Sequence, residues 1–377
     1  MTSPRIAFIA HALRAGGGIS VGKNIIRSFG KNAPNWKYFC SIPANLQYDD
    51  ICMDIPHCVT SVFKGGLTTR LHYDLIHLPR EVNAFCPDVV VSLQNVTLSR
   101  VSYPQLLLVH QPHLFYPIKN YGSISFKRYI KGIVQKKRFR KDLHTISMLF
   151  CQTETAIQRI REQYNYSGQV TLCPNAISEF TMRGAIGTEL PWQLSPYAQK
   201  RRLFYLTRYY PHKNIEILID LFRRYDHELK DTIVIITLSP EQDPSTKQLL
   251  ERIAAYGLTK SIVNVGPLKQ EELASYFTNC DALLMPTLME SFSGTYIEAM
   301  HFGLPILTSD LDFAHEICGD AAIYFDPWSP SDITRAILEL DHNKQSLREK
   351  GRLHLQQYST SWDDVARIMI DSIHKIL

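Results

Sequence analysis

No stretch of this chain approaches the ~18 consecutive apolar residues that a membrane-crossing helix requires. The first apolar run, Ile6–Ala10, is too short for a signal-peptide core and leads into polar and glycine residues, so it reads as a buried strand and the protein as cytosolic. Disulfide chemistry is also missing. Cys40, Cys52, Cys58, Cys86, Cys151, Cys173, Cys280 and Cys318 stand singly with no C-x-x-C pair, a spacing that fits neither a disulfide framework nor a zinc site. They are expected as small buried hydrophobes. No repeat of solenoid length is visible. One segment lacks acid altogether. Lys119, Lys127, Arg128, Lys131, Lys136, Lys137, Arg138, Arg140 and Lys141 fall between 119 and 141 with no Asp or Glu. The chain carries a net +5, so without these nine the remainder is 5 − 9 = −4, a mildly acidic protein with one basic segment.

What is present is an alternation of strands and helices. With 377 residues, 45% hydrophobic and 20% charged, the chain is long enough for two domains and has a globular composition. Apolar runs at Arg5–Ala10, Tyr38–Ile42, Val59–Phe63, Asp88–Leu93, Gln105–His110, Leu149–Gln152 and Val170–Cys173 are separated by helical stretches such as Ile19–Phe29, Thr68–Phe85 and Glu154–Gln163. Fully apolar strands suit a parallel sheet covered on both faces, and the alternation suits a doubly wound α/β domain. Gly184–Lys200, with glycine, serine and prolines but no period, is expected to be a linker. The pattern then restarts at Leu203–Leu206, Thr232–Leu238, Ile262–Val265, Ala282–Met285, Pro305–Thr308 and Ala322–Phe325. The expected domains are 1–185 and 186–359, with an apolar helical stripe at 360–377 packing back on the first. Open sheets of this kind bind ligands at the carboxyl ends of their strands.

The most informative stretch is Pro286–Pro305. A strand ends near Pro286, a loop carries Glu290, and a helix begins near Ser293. The amides of Ser293, Gly294 and Thr295 would be helix-start donors suited to a phosphate, and Gly294 would let a ligand approach the backbone. Glu290 before the helix and Glu298 within it could hold two ends of one ligand. Taken alone, they read more readily as ordinary helix-start carboxylates favoured by the macrodipole.

Several motifs in one order resemble the retaining glycosyltransferase family 4, of the GT-B fold. Glu290 and Glu298-Ala299-Met300, followed by Gly303-Leu304-Pro305, match its E-x7-E pattern. Glu316–Ala322 and Tyr324-Phe325-Asp326-Pro327 continue the match. Upstream, Arg208 and Lys213-Asn214 resemble the family's basic pair, although a glycine more often follows that lysine, and Val265-Gly266-Pro267-Leu268, with Leu273 and Tyr276, resembles its nucleotide-base loop and the helix after it. The resemblance is good from Arg202 to Asp326 and loose before it. It implies two Rossmann-like domains facing a cleft, and transfer of a hexose from a GDP- or UDP-sugar to a saccharide or lipid-linked saccharide in bacterial surface polysaccharide or lipopolysaccharide assembly. Arg208 and Lys213 would offset the charge of the leaving diphosphate. Glu298 would hold the ribose, Glu290 the donor sugar, and Gly266 and Pro267 would line the base site. The family is thought to react on one face of the sugar, the leaving phosphate taking the acceptor's proton. No cofactor is expected. Asp310-Leu311-Asp312 resembles a metal-binding D-x-D, but it follows a late strand where capping of the next helix is the expectation, so transfer is read as metal-independent.

The first domain offers three further candidates. Gly16 and Gly17 follow the first strand and, on this reading, close over the donor's phosphates; a tight turn alone is the alternative. His110 ends a strand and by the resemblance meets the donor sugar and the reacting centre, with His113 as competitor. The segment from Gly17 to Gly22-Lys23 nearly spells a Walker loop, but Asn24 stands where a serine or threonine should bind magnesium. An NTPase is thus a weak alternative, beside a nucleotide-sugar epimerase or phosphorylase of the same architecture. Over Phe126–Phe139, Phe126, Tyr129, Ile130, Ile133 and Val134 share a helical face among basic residues. That helix either lies on an anionic membrane surface at the inner face of the cell membrane or packs its apolar face on the sheet. Nucleic acid is not an expected partner.

Overall fold

The period-2 geometry of a strand explains how the first apolar run is used. In β1 (Arg5–Ile9), Ile6 and Phe8 turn into one core and Ala7 and Ile9 into another, all with no exposed surface. A computed structural model of the chain describes residues 3–14, 16–44, 46–122, 124–176, 189–358 and 361–377, without the side chains of residues 67, 68 and 119. It divides into two compact units: Met1–Tyr116 with Lys127–Ala176 and Thr360–Leu377, and Pro117–Phe126 with Ile177–Ser359.

In the first unit β1 is followed by α1 (Gly17–Asn32), β2 (Lys37–Pro43), α2 (Tyr48–Met53), β3 (Cys58–Phe63), α3 (Leu67–His72), α4 (Leu78–Phe85), β4 (Val89–Ser92), β5 (Gln105–Val109), α5 (Phe126–Leu143), β6 (Met148–Cys151), α6 (Glu154–Tyr164) and β7 (Val170–Leu172). The sheet is parallel, in the order β3-β2-β1-β4-β5-β6-β7. Chain order reverses between β1 and β4, which makes their carboxyl ends the place for a ligand.

The second unit repeats the scheme with β8 (Arg201–Tyr205), α7 (Ile217–Arg224), β9 (Thr232–Ile236), α8 (Pro244–Ala255), β10 (Ile262–Asn264), α9 (Leu273–Asn279), β11 (Ala282–Met285), α10 (Gly294–His301), β12 (Ile306–Ser309), α11 (Asp312–Cys318), β13 (Ala322–Phe325) and α12 (Pro330–Leu355). Its parallel order is β10-β9-β8-β11-β12-β13, and the reversal falls between β8 and β11. The last helix, α13 (Trp362–His374), buries Trp362, Val365, Ala366, Met369 and Ile373 in the first unit's core against Ile25, Ile26 and Phe29 of α1.

Three local expectations change. The stretch Thr68–Phe85 is broken, with one wide turn at Tyr73–His77 between α3 and α4. The extra residue turns Tyr73 toward Ser41 and Ser61, whose hydroxyls lie 3.0 and 2.7 Å from its own, and Asp74 toward His11. Of the expected linker, 184–188 lies outside the described residues, while Trp192–Tyr197 forms a short 3-10 helix. Asp310 does not cap α11: it accepts from His315 Nε2 at 2.6 Å, and Asp312 is already the first helical residue. No helix among the described residues is long and apolar enough to cross a membrane.

Candidate active site

Two loops leaving the reversal point of the second sheet bring the charged candidates together. After β8 the chain passes Thr207, Arg208 and Tyr209 and enters a short turn, Pro211–Lys213. After β11 it passes Thr287 and Glu290 and enters α10. The loops are joined through the backbone, since Leu288 N donates to His212 O at 2.7 Å. Lys213 Nζ forms an ion pair with Glu290 Oε1, both side chains largely buried. The fully buried Thr287 hydroxyl lies 3.2 Å from the same carboxylate oxygen and 3.1 Å from His212 O. A charge-assisted contact in this setting fixes both partners. It also burdens its surroundings: burial first, and then the Glu290 charge, push the Tyr205 hydroxyl well above its ordinary value, so it serves as a donor, to Lys213 O at 2.5 Å.

Asn214 accounts for the departure from glycine after the lysine. It has φ +54°, in the left-handed region that asparagine tolerates best among non-glycine residues, and its Nδ2 donates to Pro327 O at 2.7 Å. The Arg208 loop is held by residues that no motif marked. Thr207 N donates to Thr237 Oγ1 at 2.9 Å, Thr237 Oγ1 returns a bond to Thr207 O at 2.8 Å, and Gln242 Nε2 donates to Tyr209 O at 2.7 Å. Tyr209 donates in turn to Glu216 at 2.7 Å. With its backbone fixed on both sides, the Arg208 side chain is exposed.

Helix α10 begins at Gly294 with Ser293 before it. The Ser293 hydroxyl does not cap the helix but turns to Met285 Sδ at 4.0 Å, so it leaves the first-turn amides to another acceptor. A Cβ on Gly294 would meet nothing within 4 Å, which is the room a phosphate needs, and Thr295 beside it is half-buried. Glu298, also half-buried, is the fifth residue of α10. Gly266 and Pro267 follow β10; Gly266 has φ +79°, open space at its Cβ, and an amide that donates to Asn264 Oδ1 at 3.3 Å. Tyr276 lies in α9, the helix after this loop, as a core residue whose ring stacks on Phe204 with centroids 5.5 Å apart.

His110, Gly16 and Gly17 belong to the first unit. Gly16, with φ +60°, precedes α1, which begins at Gly17, and a Cβ added at either glycine would meet nothing within 4 Å. Because α1 already runs through Gly22 and Lys23, the would-be Walker loop is helical, and the Lys23 ammonium sits over the Tyr48 ring at 5.7 Å. His110 directly follows β5, beside Asn95, a buried residue at φ +66°. Asn95 Oδ1 accepts from the amides of His110 and Gln111 at 2.7 and 3.0 Å, which fixes its amide orientation. Its Nδ2 therefore donates to His110 Nε2 at 3.0 Å. Burial pushes His110 down to about 4, so the imidazole is neutral near neutral pH with its proton on Nδ1. His113 is likewise pushed down to about 4, first by burial and then by Lys136 and Lys131. His11, which no motif singled out, lies just past β1 with both ring nitrogens engaged, by Asp74 at 2.7 Å and Ser41 at 2.9 Å.

Comparison with known proteins bears on the second unit above all. Residues 188–359 match the family model described as glycosyl transferases group 1. The serotype-specific mannosyltransferase WbdA of Escherichia coli is 27% identical over 169 residues, 44% of this chain and 21% of that protein. The chain thus matches about a fifth of the length of the first such relatives. A D-inositol 3-phosphate glycosyltransferase of Arthrobacter sp. is 24% identical over 71% of this chain and 64% of its own. Among solved structures, sucrose-phosphate synthase of Thermosynechococcus elongatus superposes with a TM-score of 0.76 at 16% identity, covering 99% of both chains. HepE of Anabaena, in complex with UDP-glucose, gives 0.72 at 13% identity over 98% of this chain and 99% of its own. The fold is GT-B.

Proposed function

We propose that the chain is a retaining glycosyltransferase that moves a hexose, mannose or a similar sugar, from a GDP- or UDP-linked donor to a saccharide or lipid-linked saccharide acceptor in the assembly of bacterial surface polysaccharide. The observation that carries this reading is the buried Lys213–Glu290 pair beside the open start of α10, at the reversal point of the second sheet. The names of WbdA and of the O-antigen chain mannosyltransferase B of Escherichia coli support the sugar and the pathway class.

Each group has a task in that reaction. An ammonium offers three donors, so Lys213 can keep Glu290 in place and still reach a diphosphate oxygen. Arg208 and the amides of Gly294 and Thr295 meet the rest of the diphosphate, whose charge grows as the bond between the sugar's anomeric carbon and the phosphate oxygen breaks. Glu290, held by Lys213, accepts from donor-sugar hydroxyls, Glu298 from the ribose, and Gly266 and Pro267 leave room for the base. The acceptor oxygen bonds to the anomeric carbon from the face the phosphate leaves, and its proton passes to a phosphate oxygen. His110 stays neutral and offers a hydrogen bond rather than a charge. The open space at Gly16 and Gly17, at the start of α1, suits close backbone approach by an anion. Because fixed cationic and amide groups offset the leaving charge, no metal is required.

Transfer from a labelled nucleotide sugar, with the donor chosen by thermal-shift screening against GDP- and UDP-sugars, tests the assignment. Arg208→Ala and Glu290→Ala are each expected to lower kcat by ~10²–10³-fold, the usual loss when one group that meets developing charge is removed. Transfer that survives both substitutions overturns it. We further place the protein peripherally on an anionic membrane surface. This rests on α5, where Phe126 (78% exposed), Val134 (59%) and Ile130 (43%) stand in solvent among Lys127, Lys131 and Lys137 instead of packing on the sheet.

A further inference from the structure

Three cysteines whose spacing in the chain suggests no metal site meet at the edge of the first sheet. Cys40 lies in the middle of β2, Cys58 opens the edge strand β3, and Cys52 lies near the end of α2, which spans the connection between them. Their Sγ atoms are all within 4.8 Å of one another, with Cys40 and Cys58 at 3.6 Å. Among the described residues this is the one such group of potential ligands. The other buried thiols, Cys151, Cys173, Cys280 and Cys318, do the work of small hydrophobes without forming a group of three.

The separations discriminate between the chemistries open to three thiols. A disulfide requires sulfurs about 2.05 Å apart and closely facing Cβ atoms. Here the register sets Cys58 opposite Tyr38 and Cys40 opposite Thr60, so the two side chains reach each other diagonally and the backbone of a parallel pair would have to give. A metal ion asks for no such closure. With metal–sulfur bonds of about 2.3 Å and tetrahedral angles, neighbouring thiolates stand about 3.8 Å apart. Burial is graded in the same sense: Cys40 and Cys52 are buried, while Cys58 is partly exposed and leaves one side through which an ion can enter and a water can complete four-coordination.

We propose that Cys40, Cys52 and Cys58 form a three-thiolate site for a thiophilic divalent cation of the Zn2+ and Cd2+ class. Binding replaces three S–H bonds with three metal–sulfur bonds and releases three protons to solvent, so affinity rises with pH. The bound ion ties α2 and the edge strand β3 to β2.

The test uses the full chain, reduced and freed of metal with a chelator, and titrated with Cd2+. One equivalent should produce sulfur-to-cadmium charge-transfer absorption in the ultraviolet. Cys58→Ser should abolish it with an unchanged circular-dichroism spectrum, whereas Cys86→Ser, at an exposed cysteine outside the cluster, should leave it intact. In the unsubstituted protein, Zn2+ should slow alkylation of Cys58 at least tenfold and leave Cys86 unaffected, a measurement that does not depend on any variant folding. No absorption at one equivalent, equal absorption in Cys58→Ser, or an unchanged alkylation rate overturns the proposal. So does a mass loss showing a Cys40–Cys58 disulfide in the chain isolated without reductant.

Discussion

Gly122 is the residue on which the shape of the charged loops most visibly depends. It has φ +73°, and a Cβ there would run into the carbonyl oxygen of Pro211, the first residue of the turn that carries Lys213. Its neighbour Asn120 donates to Leu288 O at 3.4 Å, on the loop that carries Glu290. Gly122→Ala therefore combines left-handed strain of about 1–2 kcal/mol with a clash against backbone that cannot swing aside. On the proposed function, a shift of the Lys213 turn should cut kcat/KM for the donor by ~10–100-fold, since misplacement by about 1 Å can cost that much. Gly257→Ala separates the two effects, because that residue has φ +71° but open space and lies outside the proposed site. Equal kinetics in Gly122→Ala and the unsubstituted enzyme would remove Gly122 from the site. The Lys213–Glu290 pair was legible because a motif preserves the spacing of both residues along the chain. Thr237, Gln242 and Asn95 were not, because each acts on a loop far away in sequence and lies in a local pattern no different from any other polar residue.

At the scale of elements, the strands were the legible part, since a parallel strand covered on both faces is a continuous apolar run. The turn at Tyr73–His77 was hidden because a single extra residue leaves the helical period nearly intact, and only the partners of Tyr73 and Asp74 reveal it. Periodicity equally could not say what covers the apolar face of α5. The structure leaves Phe126, Tyr129, Ile130 and Val134 of that face exposed with Ile133 half-buried, and uses some of the basic charge inside the unit: Lys136 donates to Tyr116 O at 2.5 Å, and burial pushes it down to about 8. The exposed lysines and arginines each add about 1 kcal/mol of attraction to an anionic surface at low salt. Co-sedimentation with vesicles containing phosphatidylglycerol should thus be strong at low ionic strength. It should weaken at least tenfold in ~0.5 M salt, because the screening length shortens from about 10 Å at 0.1 M toward about 3 Å at 1 M. Ile130→Ser with Val134→Ser should weaken it further at every salt concentration. Absence of binding at low salt would show that α5 has no membrane role.

At the scale of the whole chain, the last helix completes the first unit. The side chains of α13 share one core with α1, β1 and β2, so residues at the two ends of a 377-residue chain belong to one cooperative structure. Hydrophobic burial does this, and the charged contact that accompanies it adds little. Lys31 pairs with Asp363 at the surface, with the lysine side chain 70% exposed, and exposed pairs contribute about 0–1 kcal/mol. Met369 has no exposed surface, and truncating a buried methionine to alanine costs about 2–5 kcal/mol. Urea denaturation followed by circular dichroism should then show Met369→Ala destabilised by that amount and Lys31→Ala by less than about 1 kcal/mol. Because the first unit lacks one wall of its core until its final residues are made, a chain ending at residue 358 should expose Ile25, Ile26 and Phe29 and lose the first unit's transition while keeping that of the second. Two cooperative transitions of unchanged midpoint in the shortened chain would mean that α13 only decorates the unit it covers.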